Sequence, residues 1–374
     1  MTIEIALFDE HDAEEYGQFL HSVDTALFYA SLPYRRILQT ELEHCEPLYL
    51  VARTGGKIVG VLPSFLRRNA RHGDVLNSLP YFGSNGGAVV ATDAGHESGS
   101  TAVEQALIEA FHALARERGV VTSTLVTNPL SSNLSSYETE EIHDLRDERI
   151  GQLTPIPAVV ASDLDVAESL MAIYHSKTRN AVRKAQKSGL EVYHSGSEHH
   201  LRRLYELHVE GMQAIGVPAK NWSFFAATRE HCVYDRDYRV YVAEKDGLIV
   251  SALLVFFYNR VAEYYVPATL AEYRPLQPMS VLILEAMCEA SRRGCLYWNW
   301  GGTQRSNKAV YDFKSSWGSI DRPYQYFVRE YLSPNPLRDL SPAEILAEYP
   351  SFYVLPFSAL RPRNAAPDVP DGTE

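Results

Sequence analysis

The sequence predicts an α/β protein with mixed sheets built from two similar units, because one pattern occurs twice. Residues 50–60 read Leu-Val-Ala-Arg-Thr-Gly-Gly-Lys-Ile-Val-Gly, and residues 241–251 read Tyr-Val-Ala-Glu-Lys-Asp-Gly-Leu-Ile-Val-Ser. Each copy has the form of a β-hairpin, with a glycine-containing turn between two apolar strands. In each half, a helix that ends at a glycine then precedes a further strand. Two similar domains with a cleft between them are therefore expected.

The composition is that of a globular protein and narrows the classes of function. The chain has 374 residues, 45% of them hydrophobic and 22% charged, which is enough for two cores. It has no apolar run of about 18 residues and no secretory signal at its first residues, so we expect a cytoplasmic protein without integral membrane contact. The net charge of -12 argues against a large nucleic-acid surface, although a small basic site is compatible with it. The cysteines have no zinc spacing, so we expect buried thiols and no metal site: Cys45, Cys232, Cys288 and Cys295.

The first domain is expected to span residues 1–150. Its predicted elements are a helix over 24–38, the first hairpin over 48–68, a glycine-rich loop and strand over 79–90, a helix over 100–118 and a strand over 120–126. The glycine-rich loop at 83–87 has the composition of a backbone nest for an anion or of an ordinary strand-entry loop.

The second domain is expected over residues 151–320. We predict that residues 321–360 pack back on the first domain and that residues 361–374 are disordered. The predicted elements of the second domain are a strand at 159–160, a helix over 166–174 capped by Asp163 or Asp165, a basic helix over 175–189, a helix over 201–215, a hairpin over 239–257, a strand over 261–268, a helix over 279–293 and a strand over 296–300.

Two motifs in the second half carry a resemblance to a known family. One is a strand that ends in Gly301-Gly302, followed by Phe313-Lys314 and then by Gly318. The other is the basic segment 177–189, Lys-Thr-Arg-Asn-Ala-Val-Arg-Lys-Ala-Gln-Lys-Ser-Gly. Together they resemble the second domain of the FemABX family, whose members transfer amino acids from aminoacyl-tRNA during peptidoglycan cross-bridge synthesis. The first half is similar to that family only in layout.

The resemblance implies two tandem acetyltransferase-like (GNAT) domains and a role for Phe313 and Lys314 in catalysis. Lys314 would stabilise negative charge on the carbonyl oxygen under attack, and Phe313 would shape the donor channel. The alternative for Lys314 is an exposed lysine on an amphipathic turn. The two glycines Gly301 and Gly302 allow a ligand or another backbone to approach closely.

The remaining candidate substrate-binding residues lie in both halves. In the basic helix, Lys177, Arg179 and Arg183 suit a phosphate platform for a tRNA acceptor end or a nucleotide-linked substrate, or else form a solvated face. In the first half, the family layout points to Asn85 and Gly86 as acceptor-lining residues and to a basic position at Arg35 or Arg36. On the strand over 261–268, Glu263 and Tyr265 are weaker candidates for positioning an amine, as is Asp312 beside Lys314.

The sequence argues against coenzyme A as the donor carrier. GNAT enzymes hold the coenzyme pyrophosphate on a loop of the form Gln/Arg-x-x-Gly-x-Gly/Ala before a helix. Residues 274–280 lack both glycines and contain two prolines, which have no N–H to donate. The corresponding segment of the first half, residues 95–100, places Glu97 where phosphate would lie.

Three functions are compatible with the sequence. The first is an aminoacyl transferase that uses aminoacyl-tRNA, through its acceptor end, and an amine of a peptide, cell-wall or natural-product precursor. The second is an acyl-CoA-dependent N-acyltransferase, and the third is a binding module without catalysis. The long helical arm of some FemABX proteins is missing between Leu190 and Asp237, and the oligomeric state is undetermined.

Overall fold

The computed structural model describes residues 2–81, 85–91, 97–131, 134–138, 142–157, 163–303 and 307–361, without the side chains of 97, 98 and 163–165. It divides into two compact units. Unit 1 comprises Met1–Arg149 and Pro323–Glu374, and unit 2 comprises Ile150–Arg322. The predicted strand at 159–160 and most of the predicted tail, residues 362–374, lie outside the described residues.

Unit 1 contains short strands in two sheet segments and three helices in its first part. One segment has the order β1-β3-β4-β7, and in the other β2 pairs with β5, β5 with β6, and β6 in parallel with β8. The elements are β1 (Glu4–Leu7), α1 (Ala13–Ser22), α2 (Leu32–Glu41), β2 (Cys45–Pro47), β3 (Leu50–Thr54), β4 (Lys57–Leu62), β5 (Phe65–Arg67), β6 (Val75–Asn77), β7 (Val89–Val90), α3 (Glu97–Glu117) and β8 (Thr122–Val126).

Unit 2 contains a sheet of order β10-β11-β12-β13-β14-β9, in which only β13 and β14 run parallel. Two strands, β9 and β15, begin in one unit and end in the other, and α10 belongs to unit 1. The elements are β9 (Leu145–Pro155), α4 (Asp163–Ile173), α5 (Ser176–Gln186), β10 (Glu191–Ser195), α6 (Glu198–Ile215), α7 (Trp222–His231), β11 (Tyr238–Lys245), β12 (Leu248–Tyr258), β13 (Val261–Thr269), α8 (Pro278–Arg292), β14 (Tyr297–Thr303), α9 (Lys308–Ser315), β15 (Ile320–Glu330) and α10 (Pro342–Glu348).

The duplicated hairpin is confirmed in detail. In unit 1, Gly55 and Gly56 form the turn with φ of 56° and 79°, and in unit 2 Asp246 and Gly247 form it with φ of 52° and 78°. Two positive φ values characterise the type I′ turn, whose twist matches that of the strands it joins. Both hairpins also shift register after the same alanine, Ala52 in β3 and Ala243 in β11. The two copies therefore share a turn type and an irregularity as well as a sequence pattern.

The helix after each hairpin ends in the same way. The N–H of Val120 donates to Ala115 O after α3, and the N–H of Cys295 donates to Ala290 O after α8. Gly119 and Gly294 have positive φ at these ends, as a Schellman-type cap requires. Helix α3 packs on β3 and β4, and α8 packs on β11, β12 and β13, so each unit has its own apolar core.

The first predicted helix begins later than the sequence suggested. Residues 28–30 form a single 3-10 turn, and α2 starts at Leu32. The hydroxyl of Ser31 accepts the N–H of Tyr34 and caps the helix, and Pro33 occupies the first turn. An N-cap serine followed by proline fixes a helix start, and this local signal outweighs the apolar period upstream. Several other elements were also not predicted from the sequence: helices α1, α7, α9 and α10 and strands β1, β2, β6, β9, β10 and β15.

The C-terminal segment belongs to unit 1. Strand β15 pairs antiparallel with β8 over Tyr326–Glu330. After α10, the carbonyl of Tyr353 accepts hydrogen bonds from Asn77 Nδ2 at 2.9 Å and Thr124 Oγ1 at 2.7 Å. The Tyr349 hydroxyl donates to Gly73 O at 2.7 Å. Among the described residues, no helix has the length and apolar character needed to cross a membrane.

Candidate active site

The Gly-Gly motif lies at an irregular end of strand β14 in unit 2. Asn299 is opposite Leu153 of β9 and Gly302 is opposite Gly151, so two residues of β14 face one residue of β9. Such a bulge bends the strand, and Gly301 takes the positive φ of 75° that a side chain would disfavour. The Gly301 N–H donates to the side-chain oxygen of Asn299 at 2.9 Å, which holds the bulge in place.

Lys314 is buried against this strand end. Helix α9 is capped by Asn307, whose side chain accepts the N–H of Val310, and it places Lys314 in its last turn with 6% exposure. The Lys314 ammonium donates to Gly302 O at 2.7 Å and to Thr303 Oγ1 at 2.8 Å. A buried ammonium needs such oxygen partners because its desolvation is costly. The exposed-lysine alternative is therefore wrong, and two predicted site residues, Lys314 and Gly302, are in direct contact.

Two buried residues that were not predicted, Thr303 and Gln152, belong to the surroundings of Lys314. The Thr303 hydroxyl donates to Gln152 Oε1 at 2.9 Å. The Gln152 amide nitrogen lies 3.2 Å from Tyr311 O and within 3.3 Å of the hydroxyls of Ser315 and Ser319. One sequence feature could have indicated Gln152: it is a polar residue in the mostly apolar segment before Pro155. Polar side chains that are buried in such segments are usually hydrogen-bonded.

Phe313 is on the other side of the same helical turn. Its side chain is 42% exposed, and its ring packs edge-on against Trp300 at 5.9 Å between centroids and Trp317 at 6.3 Å. Adjacent residues on a helix point about 100° apart, which lets Lys314 face inward while Phe313 borders solvent. The exposed Asp312 pairs with Lys308 at 3.0 Å, so it is engaged at the surface and away from the buried ammonium.

The parallel pairing of β13 and β14 ends just before the glycines. It comprises three pairs, of which the last joins Glu263 to Asn299. Both side chains are 1% exposed, and the amide nitrogen of Asn299 has no hydrogen-bond partner in the described part of the chain. Beyond this point β13 remains paired with β12 and β14 with β9. The ladder between the two parallel strands therefore ends beside two buried polar groups.

Tyr265 is the extra residue of a second bulge, in β13. Leu254 pairs with Val266 and Val255 with Tyr264, which leaves Tyr265 without an opposite residue. Its half-buried ring stacks on Phe224 at 5.3 Å, and the Lys220 ammonium lies 5.1 Å from its centroid. Packing therefore accounts for much of its ring, and a contact with substrate remains a prediction.

The basic helix α5 presents most of its cations to solvent. Thr178, Val182 and Ala185 are its buried face. Lys177 and Arg183 are exposed, as are Lys184 and Lys187 beside them. None of these four has a carboxylate partner within 4.0 Å among the residues that the structure describes. Arg179 differs, because it is partly buried and its guanidinium donates to Tyr174 O.

The basic helix and the Phe-Lys helix are in contact at their ends. The N–H of His175 donates to Ser316 O at 2.9 Å, and the hydroxyl of Thr178 donates to that of Ser316 at 2.8 Å. The two motifs that carried the family resemblance, more than a hundred residues apart in sequence, therefore meet in unit 2.

Comparison with known proteins agrees with this arrangement. Residues 174–315 match a family described as an acetyltransferase (GNAT) domain. The structure of FemX is 13% identical over 87% of this chain and 97% of FemX, with a TM-score of 0.66. The chain has the FemABX-like tandem GNAT fold. A tandem GNAT protein from the clavulanic acid biosynthesis pathway (13% identity, 88% and 98% covered, TM-score 0.52) and L-PGS from Bacillus licheniformis (10%, 88% and 95%, 0.52) are also similar. No curated protein sequence matches the chain.

Residues 274–280, which were compared in sequence with the coenzyme A pyrophosphate loop, lie just before and at the start of α8. The chain there forms a 3-10 helix over Ala271–Leu276 and then α8. The N–H of Gln277 donates to Arg274 O, and the N–H of Ser280 donates to Gln277 O. Both N–H groups are therefore used within the segment itself, and Pro275 and Pro278 have no N–H group to donate to a phosphate. The corresponding segment of unit 1 begins outside the described residues, at 95 and 96.

The predicted residues of unit 1 fall into two groups. Arg35 is mostly buried, pairs with Glu10 at 2.6 Å and lies over the rings of Phe8 and Tyr49. Arg36 is half-exposed and 3.9 Å from the same Glu10. Internal contacts thus occupy Arg35, and Arg36 is the better candidate for an external ligand.

Asn85 and Gly86 line a small cavity in unit 1 together with Leu27, Ala30, Leu79, Gly87, Val89 and Asn128. The Gly86 N–H donates to Val126 O, and a Cβ at Gly86 would lie 2.7 Å from Ser78 O. Glycine is thus required there by close backbone packing. The loop residues Gly83 and Ser84 lie outside the described part of the chain.

Proposed function

We propose that this protein is an acyltransferase that moves an aminoacyl group from aminoacyl-tRNA to an amine of a peptide, cell-wall or natural-product precursor. The observation that carries the proposal is the buried Lys314 ammonium on the Gly301-Gly302 strand end, next to the point where the pairing of β13 and β14 ends. The FemABX-like fold supports a transfer reaction, and L-PGS and FemX are among the structures that share it.

The proposed chemistry is amine attack on an ester carbonyl. The new C–N bond forms, the ester C–O bond breaks, and the proton lost by the amine ends on the departing ribose hydroxyl of the tRNA. Negative charge develops on the carbonyl oxygen during attack, and a fixed cation nearby lowers that barrier. Lys314 is held by oxygen partners that include Gly302 O and the Thr303 hydroxyl, which is the preorganisation that such stabilisation needs.

The exposed cations of α5 support a phosphate-rich donor. Three exposed cations on α5 and a fourth, Lys187 at its C-cap, form a local positive site in an acidic protein. Charge-assisted contacts with phosphate are among the stronger polar contacts. The site is too small for a tRNA body, so we propose that only the acceptor end binds there. No metal enters the proposal, and the described residues contain no cluster of three or more potential metal-ligating side chains.

An acyl-CoA-dependent N-acyltransferase is the second candidate, favoured by the GNAT family match over residues 174–315. The segment at the start of α8 argues against it, because the N–H groups of Gln277 and Ser280 donate to carbonyls of the same segment. The two candidates differ in an assay with purified protein. Aminoacyl transfer gives incorporation of a labelled amino acid that RNase abolishes, whereas the coenzyme A reaction releases free thiol and is insensitive to RNase. A binding module without catalysis gives neither signal.

The Lys314→Ala variant tests the role of the ammonium. We expect turnover to fall about 100-fold, on the scale of losing one oxyanion partner, because the charge beside the reacting carbonyl is removed. Lys308→Ala is the matched control, since Lys308 is an exposed lysine of the same helix, and it should keep the wild-type rate. An unchanged rate in Lys314→Ala would remove this residue from the mechanism.

The double variant Lys184→Gln/Lys187→Gln tests the donor surface. We expect weaker tRNA binding. The plot of log K against log salt should become less steep by about 1.4, because two phosphate contacts are lost. Lys57→Glu, on an exposed strand residue of unit 1, controls for net charge. Equal salt slopes in the double variant and the wild type would assign the tRNA contact to another surface.

A further inference from the structure

We infer that Thr303 and Gln152 are positioning residues for Lys314, acting through a directed series of hydrogen bonds. The inference rests on the proposed function, in which Lys314 is the charge-stabilising group. Both side chains are completely buried. Neither the Gly-Gly nor the Phe-Lys pattern includes Gln152, which comes from β9, about 160 residues before the helix that it contacts.

The direction of each hydrogen bond follows from the atoms involved. Tyr311 O is only an acceptor, so the nearby Gln152 side-chain atom is the NH₂ group and the amide oxygen points to Thr303. An amide oxygen is only an acceptor as well, so the Thr303 hydroxyl gives its proton to Gln152. The Thr303 oxygen then offers its lone pairs to the Lys314 ammonium.

The series closes on the helix that carries Lys314. Gln152 contacts Tyr311 and Ser315 of α9, one on each side of Lys314, and it binds Thr303 on β14. It therefore fixes the distance between α9 and β14 while it orients the Thr303 hydroxyl. A Gln152 side chain that could rotate would allow Thr303 to point its proton at the ammonium, which would repel it. The arrangement thus holds the charge in one place, and transition-state stabilisation requires such placement to within about 0.5 Å.

Kinetics of three variants test the inference. Thr303→Val keeps the shape and removes the hydroxyl, Gln152→Met keeps the length and removes the amide, and Thr303→Ser keeps the hydroxyl. We expect kcat to fall on the order of tenfold in the first two while KM for both substrates stays within about twofold, and Thr303→Ser to retain a rate close to that of the wild type. A purely structural role would lower the active fraction without this rescue and without the separation of kcat from KM.

A second measurement does not depend on activity. An amine-acylating reagent and mass spectrometry give the labelling rate of Lys314, with the exposed Lys308 as the internal reference. We expect Lys314 to be protected in the wild type and labelled on the order of tenfold faster in Thr303→Val and Gln152→Met, since the ammonium loses its anchor. If Thr303→Val fails to fold, Gln152→Asn, whose shorter side chain cannot span both contacts, takes its place.

The outcomes separate the two proposals. Wild-type labelling and kcat in Thr303→Val or Gln152→Met overturn the positioning role. If wild-type Lys314 is labelled as fast as Lys308 and the wild-type protein shows no aminoacyl transfer, both the proposed function and the positioning role are overturned. If the wild-type protein protects Lys314 and the variants abolish that protection, the positioning of the ammonium stands even when the transfer assay fails.

Discussion

At the scale of single residues, the candidate site depends on a charge that is held inside the protein. Lys314 is buried with oxygen partners from the strand end at Gly302 and Thr303, whereas Lys308, six residues earlier, is at the surface and pairs with Asp312. The two lysines therefore differ in environment although they share a helix. Burial reduces screening by water and strengthens the field of an ammonium at a nearby reacting atom.

A buried histidine in unit 2 gives a pH dependence of stability. His208 Nε2 accepts the N–H of Lys220 at 3.1 Å, and burial lowers the pKa of His208 from 6.5 to about 4. The unfolded chain binds a proton below pH 6.5, but the folded chain does so only near pH 4. Stability contributed by neutral His208 is thus present above pH 6.5 and is lost as the pH falls toward 4, by up to about 1.4 kcal/mol per pH unit.

The variant His208→Gln checks this assignment, because its amide oxygen still accepts the Lys220 N–H but does not titrate. We expect urea unfolding followed by tryptophan fluorescence between pH 4.5 and 7 to show a smaller slope of unfolding free energy against pH in the variant. All four tryptophans are in unit 2, so the signal reports on that unit: Trp222, Trp298, Trp300 and Trp317. Identical slopes would assign the acid sensitivity to other groups.

At the scale of elements, sequence signals were reliable where a local rule sets the backbone. The Gly55-Gly56 and Asp246-Gly247 turns specify their hairpins because those residues tolerate positive φ. Helix α1 was overlooked although its buried residues Tyr16, Phe19 and Leu20 have the helical i, i+3, i+4 spacing. Strand β9 was missed because its first part, residues 145–148, is mostly charged and has no apolar alternation. The sequence places Lys314 and Gly302 in one motif but does not predict their hydrogen bond, because hydrogen-bond partners on different elements depend on packing. Gln152 was beyond sequence reasoning because its partners are on α9 and β14.

The connection between β5 and β6 shows how an element can depend on one glycine. Gly73 has φ of 99°, a Cβ there would lie 2.1 Å from Val121 Cγ2, and its carbonyl accepts the Tyr349 hydroxyl. We expect Gly73→Ala to lower the unfolding free energy by about 2–4 kcal/mol, because both the backbone and the packing must shift.

Thermal unfolding followed by far-UV circular dichroism measures this effect. Gly17→Ala is the control, since Gly17 is inside helix α1, where an added Cβ would meet no atom within 4 Å, and alanine favours a helix by up to about 1 kcal/mol. The control should therefore melt at the wild-type temperature or above it. A Gly73→Ala protein as stable as the wild type would mean that the β5–β6 connection relaxes freely.

At the scale of the whole molecule, the chain leaves unit 1 at Arg149 and returns to it at Pro323, so unit 2 is one continuous segment with its own apolar core. A continuous segment with its own core can fold alone. Unit 1, in contrast, needs both ends of the chain, because β15 pairs with β8 and Tyr353 binds Asn77 and Thr124. The two GNAT-like units are thus similar in pattern but differ in how the chain completes them.

We therefore expect a fragment of residues 150–322 to fold by itself, whereas residues 1–149 alone should not. The fragment retains all four tryptophans and the Lys314, Thr303 and Gln152 contacts. Its fluorescence should show cooperative urea unfolding, with protection of Lys314 from acylation as in the full chain.

Joining residue 149 to residue 323 by a short glycine linker supplies the complementary test, since the joined chain restores the β15–β8 pairing and should recover the cooperative melting that 1–149 lacks. A fragment 150–322 that unfolds without cooperativity would show that unit 2 depends on unit 1 for its stability.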